Sequence, residues 1–482
     1  MPLVLGVDSS TQATKVEVRD AETGKPWGAG RRLHPDTSPP RSEQDPSAWW
    51  GAFVQAVHEA GRYNVAAISV AGQQHGLVGL DGEGRPVHPA KLWNDTESSD
   101  QAAALVERLG AEAWARAVGT VPVASLTVTK LAWLRDRQPS AFRQLRHVLL
   151  PHDWLTWRLT GRMVTDRGDA SGTGYWSPSE GRWRPDLLRL IDPDRDWVDA
   201  LPAVLAPTEP AGPLEPRAAR PLGFDGNDVT VGPGTGDNMA AALGVDLQPG
   251  DVLVSLGSSG VACTVSDRPT EDPSGAVAGF ADATGRWLPL VCTLNAMRVT
   301  DTFSALLGVD PATLGSLAMA APPGAGGVVL VPYLDGERTP NRPHATGTLL
   351  GLRSSTTAAD VARAVVEGVV CGLLDAVDGL TALGIPTRGR LVLVGGGARS
   401  PAYRRVLADL AQRPLIVSDT DEPVAVGACV QAAAVLLGSS PQAIAASWGL
   451  GSGRVVTPRI DPDAASSVRA AYAAARDSYS SW

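Results

Sequence analysis

Five loops of this chain, at 8–15, 72–76, 232–238, 256–260 and 395–400, carry residue types suited to phosphate or proton chemistry. In the first, Asp8 is the first charge after an apolar run, and Ser10, Thr11 and Lys15 follow it. A carboxylate there either closes an Asx-type turn on its own backbone or faces a magnesium–phosphate cluster through metal-bound water. The polar groups beside it favour the second reading, although Lys15 alone reads as an edge-strand lysine. In Gly232-Pro233-Gly234-Thr235-Gly236-Asp237-Asn238 the glycines leave room for close approach of a substrate. Asp237 suits the N-cap of the helix that Met239-Ala240-Ala241-Ala242-Leu243 announces. It is equally suited to accept the proton of a sugar hydroxyl as that hydroxyl attacks phosphorus. His75, in Gln73-Gln74-His75-Gly76, reads by itself as a structural histidine, while Trp93-Asn94-Asp95 is a polar–aromatic cluster fitted to polyol hydroxyls. Gly395-Gly396-Gly397 lacks both the lysine of a Walker loop and the spacing of a dinucleotide fingerprint. Its bare backbone, running through Ser400 into a helix, still admits a flat ring or a phosphate. Gly336-Glu337-Arg338-Thr339-Pro340 is a charged turn whose plain reading is a surface salt bridge.

These loops need strands to hold them, and two distant stretches supply matching ones. Residues 3–18 and 251–265 each read as an apolar strand, a turn rich in Gly, Ser or Thr (with Ser258 and Ser259 in the second), and another apolar strand. Successive N–H groups and hydroxyls in such a turn form a concave anion site. Two copies, one at the start of each half, predict a duplicated fold that grips one polyphosphate from both sides. Residues 3–33 read as a three-strand meander, 49–60 as a helix, and 66–71 as a buried strand. Helices are predicted at 100–117 and 130–137, and strand alternating with helix is the pattern of an α/β layer fold. The Pro-rich segment 201–221 reads as a surface connection, followed by a strand at 229–231. The domain boundary is placed near 245–250, giving domains 1–246 and 247–482, with strands from 252, from 261 and at 287–292. A long helix is predicted over 357–383, with Thr357 and Asp360 as its capping box and Gly368 and Gly372 as close-packing positions. A strand at 391–394 then meets the glycine loop, with Ser400 as N-cap and Pro401 at the first helical position.

Length and composition bound the function. A chain of 482 residues defaults to two domains, and 44% hydrophobic with 19% charged residues is a globular composition. A net charge of −9 argues against nucleic acid or an anionic membrane as main partner. No apolar run approaches the ~20 residues of a membrane span, the N-terminus does not read as a signal peptide, and a cytoplasmic location is expected. Cys263, Cys292, Cys371 and Cys429 are widely spaced and read as buried, reduced thiols.

Taken with Ser42-Glu43-Gln44-Asp45-Pro46, Leu92-Trp93-Asn94-Asp95 and the 336–340 turn, the loops resemble, in order and along essentially the whole chain, the FGGY carbohydrate kinases. These belong to the actin-like ATPase superfamily, and the likeness within them is to the xylulokinases. The resemblance implies two duplicated actin-like (ribonuclease H-like) α/β domains with an active-site cleft between them, closing on ATP, Mg2+ and sugar. It implies phosphorylation of D-xylulose or a related pentulose at its terminal hydroxyl. Asp237 matches the family's catalytic base, and Asp8 the acidic residue of the first phosphate loop, reaching metal through water. Thr11, Lys15, Ser258 and Ser259 match the loops around the nucleotide phosphates, and Gly396, Gly397 and Ser400 the adenosine side. Gln74, His75, Asp237 and Asn238, with Trp93, fall where the pentulose is held. The chain departs from the family pattern at Gln12, at Ser258 where threonine is usual, and at Gln74 where methionine is usual. A homodimer is implied too. The rivals are a kinase of the same family acting on ribulose, rhamnulose, fuculose or glycerol, and a non-catalytic actin-like nucleotide sensor.

Overall fold

The computed structural model describes residues 1–37, 39–224 and 228–478. They form two compact units: Met1–Asp246 with Asp267–Leu288 and Glu422–Gly451, and Leu247–Ser266 with Pro289–Asp421 and Ser452–Trp482. Two segments from late in the chain thus fold into the first unit.

In the first unit β1 (Leu3–Ser9), β2 (Ala13–Asp20) and β3 (Pro26–Leu33) make the antiparallel meander that the sequence predicts. All residues of β1 are buried, as a strand covered on both faces should be. β4 (Val65–Gly72) runs parallel to β1, and the short β5 (Thr230–Val231) and β6 (Thr235–Gly236) run parallel to β4. Helix Pro423–Leu437 lies directly on β1. A Cβ on Gly6 would collide with the Ala425 carbonyl and Cys429, and one on Gly427 with the Ala240 carbonyl of helix Asp237–Gly244. Gly244 likewise meets the carbonyl of Pro423. Small residues therefore seat the helix that begins at Asp237 against helix Pro423–Leu437, and that helix against β1. Helix Pro46–Ala60 buries Trp49, Phe53, Ala56 and Val57, and Trp49 meets Trp154 edge-on at 6.2 Å.

In the second unit β7 (Val252–Leu256), β8 (Gly260–Thr264) and β9 (Trp287–Thr293) are successive antiparallel neighbours. β10 (Leu391–Val394) pairs in parallel with β7 on its other side, followed by parallel β11 (Leu415–Ser418) and antiparallel β12 (Gly453–Val456). This repeats the first sheet: a hairpin extended by a third antiparallel strand, with a parallel strand on the far side of its first. Helix Ala358–Ala382 carries the predicted Thr357–Asp360 capping box, and a Cβ on Gly368 would strike the Leu330 carbonyl.

Two of the expected elements differ in the structure. The helix read over 100–117 is two, Ser99–Leu109 and Ala111–Val118, because Gly110 sits at φ 90°, outside helical space. The segment 201–221 is more than a surface connection. Ala203–Leu205 pairs with Val164–Asp166, a helix spans Pro216–Leu222, and Leu205, Ala211, Ala218 and Leu222 join the core. Its prolines include Pro216, at a helix start where a missing N–H is tolerated. All four cysteines are buried and free of disulfides. Among the described residues no single helix is long and apolar enough to cross a membrane.

Candidate active site

In the first unit, Ser9 at the end of β1 and Gly236 at the end of β6 both face Gly72 at the end of β4. Ligands of α/β sheets bind beyond such carboxyl ends. Asp8, Gln73, Gln74, His75 and Asp237 are thereby gathered within one loop cluster.

Asp8 is buried, with Oδ1 accepting from the Ser10 hydroxyl and Oδ2 lying 3.6 Å from Lys15 Nζ. Burial raises its pKa above the usual carboxylate value, against the pull of Lys15. Burial works to lower Lys15, but Asp8 and Glu422 outweigh it, and Lys15 stays a firmly charged ammonium. Lys15 Nζ donates to Glu422 Oε2 at 2.6 Å, so the cation is shared by two carboxylates rather than solvated at a strand edge. Thr11 accepts at its hydroxyl from Trp93 Nε1 (2.9 Å) and donates to Gln73 Oε1 (3.1 Å). Its carbonyl accepts from Gln44 Nε2 at 3.1 Å. The first hydroxyl turn and the Trp93 loop are one hydrogen-bonded assembly.

Asp237 is the first residue of helix Asp237–Gly244, and Gly236 occupies the N-cap, so the expected cap role for Asp237 does not hold. Its Oδ1 accepts from the Asn238 backbone N–H (2.8 Å) and from Asn238 Nδ2 (3.0 Å). Asn238 Nδ2 also donates to Gln74 Oε1 at 2.7 Å. Gln74 Nε2 is buried and has no hydrogen-bond partner among the described residues. The Asp237 side chain remains half-buried, yet desolvation first and the negative charge of Asp8 second push its pKa up to about 7. The strand before it is pinned. Thr235 Oγ1 donates to Asp166 Oδ2 at 2.9 Å, and Gln431, bonded to Ser69, donates to the Gly234 carbonyl at 3.0 Å. His75 is buried at φ 66°, a left-handed conformation uncommon outside glycine. Its ring packs 5.2 Å from Phe280, and a Cβ on Gly172 would collide with its Nδ1.

Behind this cluster lies a group that the sequence reading passed over. His152 Nε2 is 3.3 Å from Asp153 Oδ1, 3.2 Å from Asp166 Oδ1 and 3.7 Å from Asp169 Oδ2, with all four residues buried. Burial drives every member toward neutrality: Asp153 to about 8, Asp166 to about 6, Asp169 well up, and His152 down to about 3. These residues straddle a helix end and a short strand, and no spacing in the sequence announces that they meet. Glu422, more than 400 positions from its partner Lys15, was equally invisible.

In the second unit, Ser258 is exposed and Ser259 half-exposed in the β7–β8 turn, where Gly257 N donates to the Ser259 carbonyl at 3.0 Å. Ser255 of β7 lies opposite Val394 of β10, so this turn and the glycine loop leave the same end of the sheet. Gly396 is exposed with open space where a Cβ would stand; Gly397 is buried against Leu256 and Met297. Ser400 holds the N-cap position before Pro401, although its hydroxyl makes no capping bond.

Sequence models of the FGGY family of carbohydrate kinases match the chain twice: the N-terminal domain at residues 3–244 and the C-terminal domain at 252–436. The chain belongs to this family. Proteins named xylulose kinase from Streptomyces coelicolor and Haemophilus influenzae are similar to this FGGY kinase. The first is 46% identical over 94% of this chain and 92% of its own, the second 34% over 89% and 90%. A solved xylulose kinase structure from Bifidobacterium adolescentis superposes with a TM-score of 0.86 at 41% identity, covering 98% of this chain and 99% of that one.

One tight carboxylate trio invites a metal reading in this FGGY kinase and does not carry it. Glu43, Asp95 and Glu97 converge, but Lys91 Nζ fills their centre at 2.9, 3.0 and 2.7 Å and rests 3.7 Å over the Trp133 ring. The trio is a buried ion-pair anchor for the Trp93 loop.

Proposed function

We propose that this FGGY kinase transfers the γ-phosphoryl group of ATP to the terminal hydroxyl of D-xylulose, giving D-xylulose 5-phosphate, with Asp237 as general base. The observation that carries the mechanism is Asp237 itself. It is a half-buried carboxylate at a sheet's carboxyl end, oriented through Asn238 and poised at about 7, where a base serves best near neutral pH. The substrate rests on the similar proteins named xylulose kinase. The Asp237 carboxylate takes the hydroxyl proton, the oxygen forms its bond to the γ-phosphorus, and the bond to the β-phosphate oxygen breaks, releasing ADP. Asn238 and Gln74 orient the sugar, His75 and Trp93 line its site, and the unpartnered Gln74 Nε2 is a donor for a sugar oxygen. Lys15 and the Thr11 turn neutralise and position the phosphates from the 1–246 half. Ser258, Ser259, Gly396, Gly397 and Ser400 hold the nucleotide in the 247–482 half.

Magnesium fits the donor set, since Asp8 offers oxygen atoms and Mg2+ is typically held by one or two carboxylates through water. When bound it would neutralise phosphate charge. Asp8 would orient its water shell, with the Asp8–Lys15 contact keeping the carboxylate in place.

The test is ADP release with Mg-ATP across D-xylulose, D- and L-ribulose, L-rhamnulose, L-fuculose and glycerol. The proposal expects kcat/KM on D-xylulose to exceed the rest by at least about tenfold. Preference for another polyol would overturn the substrate, and ATP binding without any turnover would favour a nucleotide sensor.

A further inference from the structure

The Gly336–Pro340 turn, singled out by its charges, is not a surface ion pair. Glu337 is 3% exposed, and among the described residues its carboxylate meets N–H donors and forms no ion pair. Oε1 accepts from the backbone N–H of Leu294 at 2.6 Å and of Arg338 at 2.8 Å, and Oε2 accepts from Asn295 Nδ2 at 3.0 Å. Asn295 Nδ2 also donates to the Gly336 carbonyl at 2.8 Å. The turn is itself tied down, with Glu337 and Arg342 exchanging backbone bonds at 2.9 and 2.8 Å and Gly336 N donating to Ala345. One carboxylate thus staples a braced turn to residues 294–295.

What those residues support gives the staple its meaning. Directly after them, Ala296 N donates to the Ser258 carbonyl at 3.3 Å and Met297 N to the Gly257 carbonyl at 3.0 Å. Just before them, Thr293 lies opposite Gly260 in the β8–β9 ladder. Met297 Sδ also backs the glycine loop, 2.7 Å from where a Cβ on Gly397 would stand. Segment 293–297 therefore touches both the hydroxyl turn 257–260 and the loop 395–397. Asn295 is buried, and its Oδ1 has no hydrogen-bond partner among the described residues, so its amide is held by the Nδ2 bonds alone.

We infer that Glu337 is a positioning residue for nucleotide binding: through Leu294 and Asn295 it sets the segment on which both loops of the second unit rest. This rests on the reading of those loops as the nucleotide site. A charge-assisted staple that accepts from three N–H groups fixes direction as well as distance. Glutamine in its place can accept from the backbone pair but turns a donor toward Asn295 Nδ2, which is also a donor.

The experiment is calorimetric titration of the full chain with a non-hydrolysable ATP analogue plus magnesium and, separately, with D-xylulose, alongside thermal melting. For Glu337→Gln the nucleotide Kd is expected to rise at least about tenfold, with the D-xylulose Kd within about twofold. Asn295→Ala cuts the staple from its other side and keeps the test open should the first variant fold poorly. It is expected to raise the nucleotide Kd as well, and the double variant to add little, because the two residues act as one contact. An unchanged nucleotide Kd, or equal weakening of both ligands with a lowered melting temperature, would make Glu337 a fold-holding residue only. Gly396→Leu separates the two claims, since its side chain enters open space in the glycine loop. If that variant binds nucleotide normally, the loop reading fails and the inference with it. If it loses binding while Glu337→Gln does not, only the inference fails.

Discussion

Asp8, buried, and Asp237, half-buried, are two carboxylates in different surroundings, and the proposal gives them different tasks. Lys15 stands beside Asp8, whereas Asp237 is held near 7 by desolvation first and the field of Asp8 second, against the pull of its Asn238 N–H bond. A base at Asp237, as proposed, works as the carboxylate, so kcat/KM is expected to rise with pH through about 7 and level off above it. Asp8→Asn removes a negative charge that raises Asp237, and the acidic limb of the residual activity should move to lower pH; an unmoved limb would separate the two groups. His75 offers a second check. Gly172→Ala drives a methyl group into its ring, and KM for the sugar should rise at least about tenfold while KM for ATP stays put. At this scale Asp8, Asp237, Gln74 and His75 stood out as candidates in the sequence because each follows a strand in a distinctive loop. The partners that tune them were illegible. Glu422, Phe280, Gly172 and the His152–Asp153–Asp166–Asp169 group reach the site through tertiary folding from positions with no local signature.

Helices and strands place these side chains through close backbone contacts. Helix Asp237–Gly244 sits where it does because Gly427 and Gly244 let it and helix Pro423–Leu437 approach to backbone contact. Gly427→Ala puts a methyl group onto the Ala240 carbonyl. The expected cost is about 1–3 kcal/mol of stability, read as a lower denaturation midpoint, with a fall in kcat as Asp237 shifts. A variant of full stability and activity would show that this contact does not set the helix. The meander at 3–33, the buried strand β4 and the capped helix at 358–382 were legible because hydrophobic period and cap residues agree there. Gly110 breaks a helical pattern that the periodicity alone carries through, and the prolines of 201–221 concealed a core helix, since Pro at a helix start and Pro in a loop look alike in sequence.

The duplicated plan, a hydroxyl-turn hairpin with a parallel strand beside it in each unit, is the largest feature that the sequence disclosed. The assignment of Asp267–Leu288 and Glu422–Gly451 to the first unit was not disclosed, because nothing in a local stretch says which core a helix will cover. Global stability should carry the signature of the buried carboxyl group. Asp153 has a folded pKa of about 8 against an ordinary 3.8, so its contribution is complete at low pH and is lost as pH rises through 8. His152, held down to about 3 by burial, acts oppositely: its share is present above 6.5 and falls away toward acid. Asp153→Asn keeps an acceptor for the Leu150 N–H and should flatten the loss of stability between about pH 4 and 8 in denaturant titrations.

The central claim is that a sugar kinase works here through Asp237, and single-turnover transfer from Mg-ATP to D-xylulose by Asp237→Asn against the unaltered chain tests it most directly. Predicted is a fall in the transfer rate of at least about a hundredfold with D-xylulose affinity retained, as loss of a general base demands. A rate within a few-fold of the unaltered protein would contradict the account.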